Sequence, residues 1–490
     1  MFKRILRLIK PQIRHSSTIF ALSSGQGKCG VAVIRVSGAA TKNALTCLTG
    51  LSHPPQPRMA ILRSVKHPQT LETLDKGLIL WFPGPHSFTG EDSCEFHVHG
   101  GLAVVNSVLE ALSTVSECSL AEPGEFTKRA FFNGKLDLTE VEGLADLLAA
   151  ETELQRKQAF LQTQGALSKL YNKWRGVLVK SVAHVEAHID FEETETIDEG
   201  VLEKVVSDVT QLKDEIESHL ADGRKGELLR TGVKTVILGE PNVGKSSLLN
   251  LLCKRPAAIV TPIEGTTRDI LEVTLNIGGY PLVLADTAGL REETHDVIEK
   301  EGINRALQNY KNSDLVILVV DSQKYLQWVQ CNTSCTVIDF LKLYVNKLGL
   351  SDLVSNEKYE FEGLFTKHCL IVFNKLDLVQ TEVTFDNKNI NFLSCKNEEG
   401  VPNLVDSMTQ KLKILCGEPS EDHPSMNQMR HRQHLSQCLS CLSTFLTTSS
   451  DTVLMAEHLR KALRHLGHLV GVTTTEQLLD VIFKDFCIGK

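Results

Sequence analysis

The spacing of apolar positions changes character along the chain, and each change marks an element boundary. Phe2, Ile5, Leu6, Ile9 and Ile13 fall on one face of a helix stepping about 100° per residue, with Lys3, Arg4, Arg7, Lys10 and Arg14 on the other. Residues 30–38 (GVAVIRVSG), 77–83 (GLILWFP) and 93–99 (SCEFHVH) are short β-branched or aromatic runs bounded by Gly, Pro and Ser, the pattern of strands. A proline-rich loop (His53 to Pro57) and a helical stretch (Leu102 to Leu112) lie among them, so the chain to about Asn133 reads as an α+β domain. From Leu138 to Leu229 apolar residues recur three and four apart with almost no proline, which predicts a set of long helices. The acidic cluster Asp190, Glu192, Glu193, Glu195, Asp198 and Glu199 interrupts them as a solvated loop.

At Val233 the pattern becomes continuous apolar runs: VKTVILG, PLVLADTAG, DLVILVVD, CLIVFNKLD and NFLSCK, most of them followed by helical stretches. Strands of that kind are covered on both faces, so a mainly parallel sheet between helices is predicted. Residues 322–367 exceed a minimal connection and predict an insertion. After about Cys416 helical periodicity returns and runs to the last residue, so the α/β module is expected to be inserted into a helical domain whose flanks pack together. No run of 18 apolar residues occurs, and no segment is predicted to span a membrane.

At 490 residues the chain has room for two to four domains, and 42% hydrophobic and 23% charged residues exclude disordered, collagen-like and coiled-coil classes. Charge sharpens the reading of the first helix: the first acidic residue is Glu72, and Ser16, Ser17 and Thr18 follow the basic amphipathic face. An acid-free, hydroxyl-rich leader of this type is a mitochondrial targeting segment, assigned to residues 1–17. The alternative is a basic surface helix that stays attached. Without it the chain carries 47 basic against 60 acidic residues, formally −13, so binding to a polyanion needs a local basic patch or a partner. Thirteen cysteines at irregular spacings fit a reducing compartment better than a disulfide framework.

The chemistry is concentrated in the α/β module. Gly239-Glu240-Pro241-Asn242-Val243-Gly244-Lys245-Ser246 follows an apolar strand and opens a helix (Ser247 to Leu252), the setting of a phosphate-binding loop. Its glycines let backbone N–H groups close on a β-phosphate, Lys245 brings a charge to the β/γ oxygens, and the Ser246 hydroxyl can ligate Mg²⁺. Gly239, Asn242, Val243, Gly244, Lys245, Ser246 and Ser247 are therefore candidate GTP contacts. In Gly265-Thr266-Thr267-Arg268-Asp269 a hydroxyl of Thr266 or Thr267 can complete the metal shell and sense the γ-phosphate. Asp286-Thr287-Ala288-Gly289 ends a strand: Asp286 can hold the metal through water, and the Gly289 N–H can meet the γ-phosphate. Asn374-Lys375-Leu376-Asp377 ends a later strand, where Asp377 can accept from guanine N1–H and the 2-amino group together. Ser394, Cys395 and Lys396 can frame guanine O6 from the backbone. Leu290 follows the Asp286–Gly289 turn, so a Ras-type water-positioning glutamine is missing; the next loop holds Glu292, Glu293, Asp296, Glu299 and Glu301.

With these motifs, FTGEDSCEFHVHGG (88–101), PGEFTKRAFFNGKLDLTEVEGLADLL (123–148) and the terminal Cys487-Ile488-Gly489-Lys490, the chain resembles the MnmE/TrmE family over almost everything beyond the leader, and the leader points to its mitochondrial branch. The resemblance implies a P-loop GTPase (Ras-like) module inserted into an α-helical domain, preceded by an α+β folate-binding domain. Its parts would be residues 18–134 for folate binding and dimerisation, 135–229 and 417–490 for the helical domain, and 230–416 for the GTPase domain. It implies a homodimer through the N-terminal domain, a one-carbon tetrahydrofolate, an FAD-containing partner of the MnmG kind, and modification of the wobble uridine of mitochondrial tRNA at its 5-carbon in the matrix, to a taurine-bearing methyluridine in animals. By motif, Arg35, Glu95, Lys135 and Lys490 correspond to folate contacts. The family uses K⁺ in place of an arginine finger, with Asn242 as its ligand and Glu299 positioning the attacking water, Glu301 being the understudy. Glu240 occupies a variable position of the loop.

Weaker signals stand beside these. Cys487 is either a reactive thiolate near the folate carbon or an inert buried cysteine. Cys438 and Cys441, with His431 and His434, have a ligand-like spacing but no second pair, so packing outweighs zinc. Gly223-Arg224-Lys225-Gly226 mimics the loop of a KH module without its small sheet. Arg430, Arg432, Arg460, Lys461 and Arg464 form a basic concentration open to two readings, a tRNA contact or a solvated face. The competing functional class is a regulatory RNA-binding GTPase of ribosome assembly, and a third is a scaffold that oligomerises on GTP; neither requires folate.

Overall fold

The structure is a computed structural model. It describes residues 17–25, 27–191, 200–222, 224–254, 258–259, 273–284, 310–332, 335–354, 364–365, 368–379, 389–448, 451–473 and, beyond these, 479, 482, 483, 486 and 489. Residues of the leader before 17, most of the acidic cluster, and Thr266, Thr267, Asp286, Gly289, Leu290, Glu299, Glu301, Cys487 and Lys490 lie outside the described residues. The chain divides into two compact units, one of residues 1–145, 162–210 and 440–490, the other of 146–161 and 211–439.

The first unit contains a six-stranded sheet in the order β3-β4-β5-β2-β1-β6. These strands are β1 (Thr18–Leu22), β2 (Cys29–Ser37), β3 (Ile61–Lys66), β4 (Thr73–Phe82), β5 (Ser93–Gly100) and β6 (Cys118–Leu120). All pairs are antiparallel except β1 with β6. The alternation in β2 and β5 puts Ile34, Val36, Cys94, Phe96 and Val98 into one core, closed by α1 (Thr41–Thr49) and α2 (Leu102–Ser113) through Leu45, Leu48, Val108 and Leu112. The predicted strands at 30–38, 77–83 and 93–99 are present; β1, β3 and β6 are additional, and short runs at sheet edges carry little periodicity. In the same unit α6 (Ala166–Phe191) packs along α14 (Thr452–Val470), tied by Arg460 to Glu186 at 2.9 Å. The helices that precede α6 are α3 (Glu125–Phe132), α4 (Leu138–Ala149), whose last turn belongs to the second unit, and α5 (Glu153–Thr163), which falls almost wholly in the second unit.

The second unit is built on a seven-stranded sheet, β13-β12-β11-β7-β10-β9-β8. Its strands are β7 (Val233–Leu238), β8 (Ala258–Ile259), β9 (Val273–Ile277), β10 (Tyr280–Leu284), β11 (Leu315–Asp321), β12 (His368–Asn374) and β13 (Ile390–Phe392). The five strands from β13 to β10 are parallel, as the apolar runs predict, and β9 and β8 add an antiparallel edge that those runs did not announce. The central strand β11, LVILVVD, is buried throughout: Leu315, Ile317 and Val319 face one core, and Val316, Leu318 and Val320 the other. The first core is covered by α9 (Lys245–Cys253) and α12 (Val401–Cys416). The second is covered by α10 (Ser322–Cys331) and α11 (Val337–Lys347), which form most of what the structure describes of the predicted insertion. α7 (Gly200–Leu220), α8 (Lys225–Thr231) and α13 (Met429–Thr447) complete the helices. The expectation of continuous helix after Cys416 is corrected: residues 417–428 form none, because Gly417 takes φ +65°, and Pro419 and Pro424 follow it. Among the described residues no helix is long and apolar enough to cross a membrane.

Candidate nucleotide site

In an open α/β sheet a ligand crevice forms at the carboxyl ends of the strands where connections leave in opposite directions, here beside β7. The phosphate-binding loop follows β7 and runs into α9. Gly239 at φ +154° lets the main chain pass the Val319 carbonyl, which a Cβ would meet at 2.3 Å. Asn242 at φ +61° and Gly244 at φ +99° complete the turn. Lys245 folds back so that Nζ donates to the carbonyls of Gly239 at 2.8 Å and Glu240 at 2.7 Å. An ammonium has three donors, so these two bonds fix its direction and leave the third over. Burial lowers the Lys245 pKa, and the Glu240 carboxylate acts against that shift. Val243 is buried as the anchor of the loop, while Ser246 and Ser247 on the first turn of α9 are exposed.

Asn374 ties the predicted guanine elements to this loop. Its Nδ2 donates to the Val243 carbonyl at 2.8 Å, and its Oδ1 accepts from the Cys395 N–H at 3.1 Å. Asn374 is 3% exposed, and its bond to Val243 is fully buried, so that bond does not compete with bulk water. Lys375 sits at φ +65°, a conformation uncommon outside glycine, and its Nζ pairs with Asp321 at 2.7 Å. Asp321 also caps α10 by accepting from the Gln323 N–H at 3.0 Å. The exposed Asp377 receives a 2.6 Å hydrogen bond from Ser394 Oγ, which itself accepts from the Asn397 N–H at 3.2 Å. The Asp377 carboxylate is thereby oriented within the fold. Lys396 is exposed, and burial pushes the Cys395 thiol up to about 11, so Cys395 contributes its backbone rather than a thiolate.

In the other unit the predicted folate contacts Arg35 and Glu95 face each other across β2 and β5, with Arg35 Nε donating to Glu95 Oε1 at 3.1 Å. The Arg35 guanidinium lies 5.4 Å from the ring centre of Phe88 and 5.8 Å from that of Phe126. His97 Nε2 stands 3.1 Å from the second Glu95 oxygen. Lys135 Nζ donates to the Pro85 carbonyl at 3.0 Å, so the loop carrying Phe88 is held at both ends by the predicted cations. Gly489, from the terminal box, accepts from Ser23 Oγ at 2.9 Å through its carbonyl. A Cβ on Gly489 would strike the Leu22 carbonyl at 2.2 Å, so this close approach needs glycine.

The weaker signals also find places in the structure. Gly226 packs on the Met426 carbonyl, 2.2 Å from where a Cβ would be, and Arg224 pairs with Glu227, so Arg224–Lys225–Gly226 forms a helix entrance. In the basic concentration Arg432 is engaged by Glu227 at 2.9 Å, and Arg460 by Glu186 at 2.9 Å. Among the described residues no group of His, Cys, Asp and Glu can hold a metal ion. Sequence reasoning missed Phe88, His97 and Tyr344, which touch the two candidate sites. The signal for Tyr344 was the long crossover itself, since a helix after β11 must pack beside the loop that follows β7.

A glycine loop after the first strand of a parallel sheet, its lysine held by loop carbonyls, and an Asn-Lys-x-Asp turn bonded to that loop define a P-loop GTPase. Family models for the GTP-binding protein TrmE N-terminus and the MnmE helical domain match residues 18–135 and 138–487. The chain is 49% identical over 484 residues to the zebrafish (Danio rerio) mitochondrial 5-taurinomethyluridine-tRNA synthase subunit GTPB3, covering 96% of this chain and 93% of that protein. The human (Homo sapiens) protein of the same name is 46% identical, at 97% and 93% coverage. The tRNA modification GTPase MnmE of Rickettsia bellii is 41% identical, at 96% and 100%. The chain belongs to the MnmE/TrmE family of tRNA modification GTPases.

Proposed function

We propose that this protein is the GTP-hydrolysing subunit of a mitochondrial complex that modifies the wobble uridine of tRNA at its 5-carbon with a tetrahydrofolate one-carbon unit, giving taurinomethyluridine. The observation that carries the GTPase part is Asn374, whose two side-chain hydrogen bonds join the phosphate loop, the guanine-reading turn and the Ser394–Lys396 segment into one site. Loop N–H groups and the third Lys245 donor receive the β/γ oxygens of GTP, and Asp377 selects guanine because adenine lacks both donors. Ser246, with Thr267 and Asp286, is the oxygen set for Mg²⁺, which neutralises phosphate charge when bound. Asn242, held at positive φ on the exposed side of the loop, offers the ligand for K⁺, and Glu299 directs the water. The donor chemistry at Arg35 and Glu95 suits folate: a cation for a glutamyl carboxylate, an acid for pterin N–H groups, and the rings of Phe88 and Phe126 beside them. Lys135, Lys490 and Cys487 are assigned to the same pocket.

The reading extends to the GTPase domain, 230–416, as an insertion between helical segments 135–229 and 417–490, to dimerisation through 18–134, to a transit segment at 1–17, to the matrix, and to an FAD-containing MnmG-type partner. The packing of α6 on α14 supports the joining of the helical flanks. Nucleoside mass spectrometry on organelle tRNA tests it: depletion removes the taurine-bearing nucleoside, and re-expression restores it with the wild-type chain but not with Lys245→Ala. An unchanged nucleoside profile after depletion refutes the proposal. Calorimetry with a reduced folate separates the ribosome-assembly alternative, which predicts no saturable heat sensitive to Arg35→Ala.

A further inference from the structure

Glu240 places a carboxylate in a loop built to bind anions, yet its side chain is only 9% exposed. Both of its oxygens are occupied from the connection between β11 and β12. Lys324 of α10 lies 2.5 Å from Oε2, and Lys347 of α11 lies 2.6 Å from Oε1. These two lysines hold the Glu240 carboxyl below its usual range. The Glu240 main chain is gripped as well: its N–H donates to Tyr344 Oη at 2.9 Å, and that buried hydroxyl donates to the Val319 carbonyl at 2.8 Å. The carbonyl sharing that N–H's peptide group, Gly239's, receives Lys245 Nζ at 2.8 Å, and the Glu240 carbonyl in the next peptide group receives it at 2.7 Å. Tyr344, Glu240 and Lys245 thus form a continuous chain from α11 to the phosphate-binding ammonium.

We propose that α10 and α11 are a positioning device for the guanine nucleotide: Tyr344, Lys324 and Lys347 hold Glu240 so that the loop aims Lys245, and the two lysines change the local charge that the phosphates meet from −1 to +1. This rests on the GTP reading above. It assigns Lys324, Lys347 and Tyr344 to nucleotide affinity, although none of them belongs to a nucleotide-binding motif.

The test is binding and release of fluorescent (mant) GDP by the full chain. The paired change Lys324→Met with Lys347→Met weakens affinity about tenfold at low salt, with a smaller loss at high salt as ionic screening grows. Adding Glu240→Gln to that pair restores affinity to within about threefold of wild type, which a purely structural role for the lysines would not produce. The lysines are at least half exposed but Glu240 is buried, so the lysine pair melts lower than wild type and the triple variant, with no charge left at 240, returns toward it. Tyr344→Phe, which removes one oxygen, speeds nucleotide release about fivefold. Affinity within twofold of wild type in the lysine pair, no recovery with Glu240→Gln, or an unchanged release rate in Tyr344→Phe overturns the proposal. A wild-type chain that binds no guanine nucleotide instead overturns the reading on which it rests.

Discussion

Replacing Gly244 with alanine probes the joint between the phosphate loop and the guanine-reading turn. Gly244 has φ +99°, and a Cβ there would sit 2.1 Å from Asn374 Nδ2. Asn374 cannot step aside freely, because its amide spans the Val243 carbonyl and the Cys395 N–H. The left-handed backbone costs an alanine about 1–2 kcal/mol. Breaking the Asn374–Val243 bond strands a buried donor and acceptor, for about 1–3 kcal/mol more. The free protein sheds part of this total of about 2–5 kcal/mol by letting the loop and turn separate, and nucleotide binding must then restore them. At about 1.4 kcal/mol per tenfold, the whole total would raise the GDP dissociation constant roughly 30-fold to several thousandfold, the upper limit if none of it remains in the free protein. Whatever part remains as strain in the free protein lowers Tm by about 2–4 °C per kcal/mol for a domain of this size. Fluorescent-GDP titration and thermal melts on the same preparation account for both parts. A Gly244→Ala protein with GDP affinity within threefold of wild type and an unchanged melt refutes the argument.

Three further outcomes follow from the same geometry. Asp377→Asn keeps an acceptor for N1–H and introduces a donor that faces the guanine 2-amino group, so GTP affinity falls at least about tenfold while xanthine nucleotides, with a 2-carbonyl, bind better; competition titration that leaves the guanine preference intact contradicts the role of Asp377. Exchanging K⁺ for Na⁺ slows GTP turnover by at least about an order of magnitude if a monovalent ion at Asn242 replaces an arginine finger, and phosphate-release rates that match in the two salts exclude this. His219 has its pKa pulled down to about 4 by burial, with His431 and Arg432 adding to the shift. The unfolded chain takes up this proton near pH 6.5 and the folded chain only near pH 4, so stability present at neutral pH is lost as pH falls through that window, by up to about 3 kcal/mol. His219→Gln flattens the fall in urea-melt stability between pH 6.5 and 4.5, and parallel curves for the two proteins would show that another group carries it.

The central strands and the nucleotide motifs were legible without coordinates because each is a short-range property. DLVILVVD is continuous apolar sequence since both of its faces are covered, and the glycine loop and Asn374–Asp377 announce their chemistry within a few residues. The shortest strands were not legible. β1, β3, β6 and β8 are short or carry mixed burial, and pairing with a neighbour rather than their own periodicity makes them strands, while β9 alternates buried and half-buried positions over only five residues. The helix expected immediately after Cys416 failed at Gly417, where the backbone turns left-handed.

Residue order alone fixes the kind of chemistry here, since the donors and acceptors for phosphate and guanine are specified by residue type and local spacing. Only packing decided which groups hold those motifs in place. Tyr344 lies 104 residues from Glu240 in the chain, and Lys324 lies 84 from it, yet both are in hydrogen-bond contact with it. Such a contact exists because α10 and α11 lie on the same face of the sheet that β7 and β11 share, burying Phe340, Leu341 and Val345 against Val316 and Leu318. Apolar burial is non-directional and acts over the whole face, so no local stretch of sequence encodes which polar atoms it brings together at the rim.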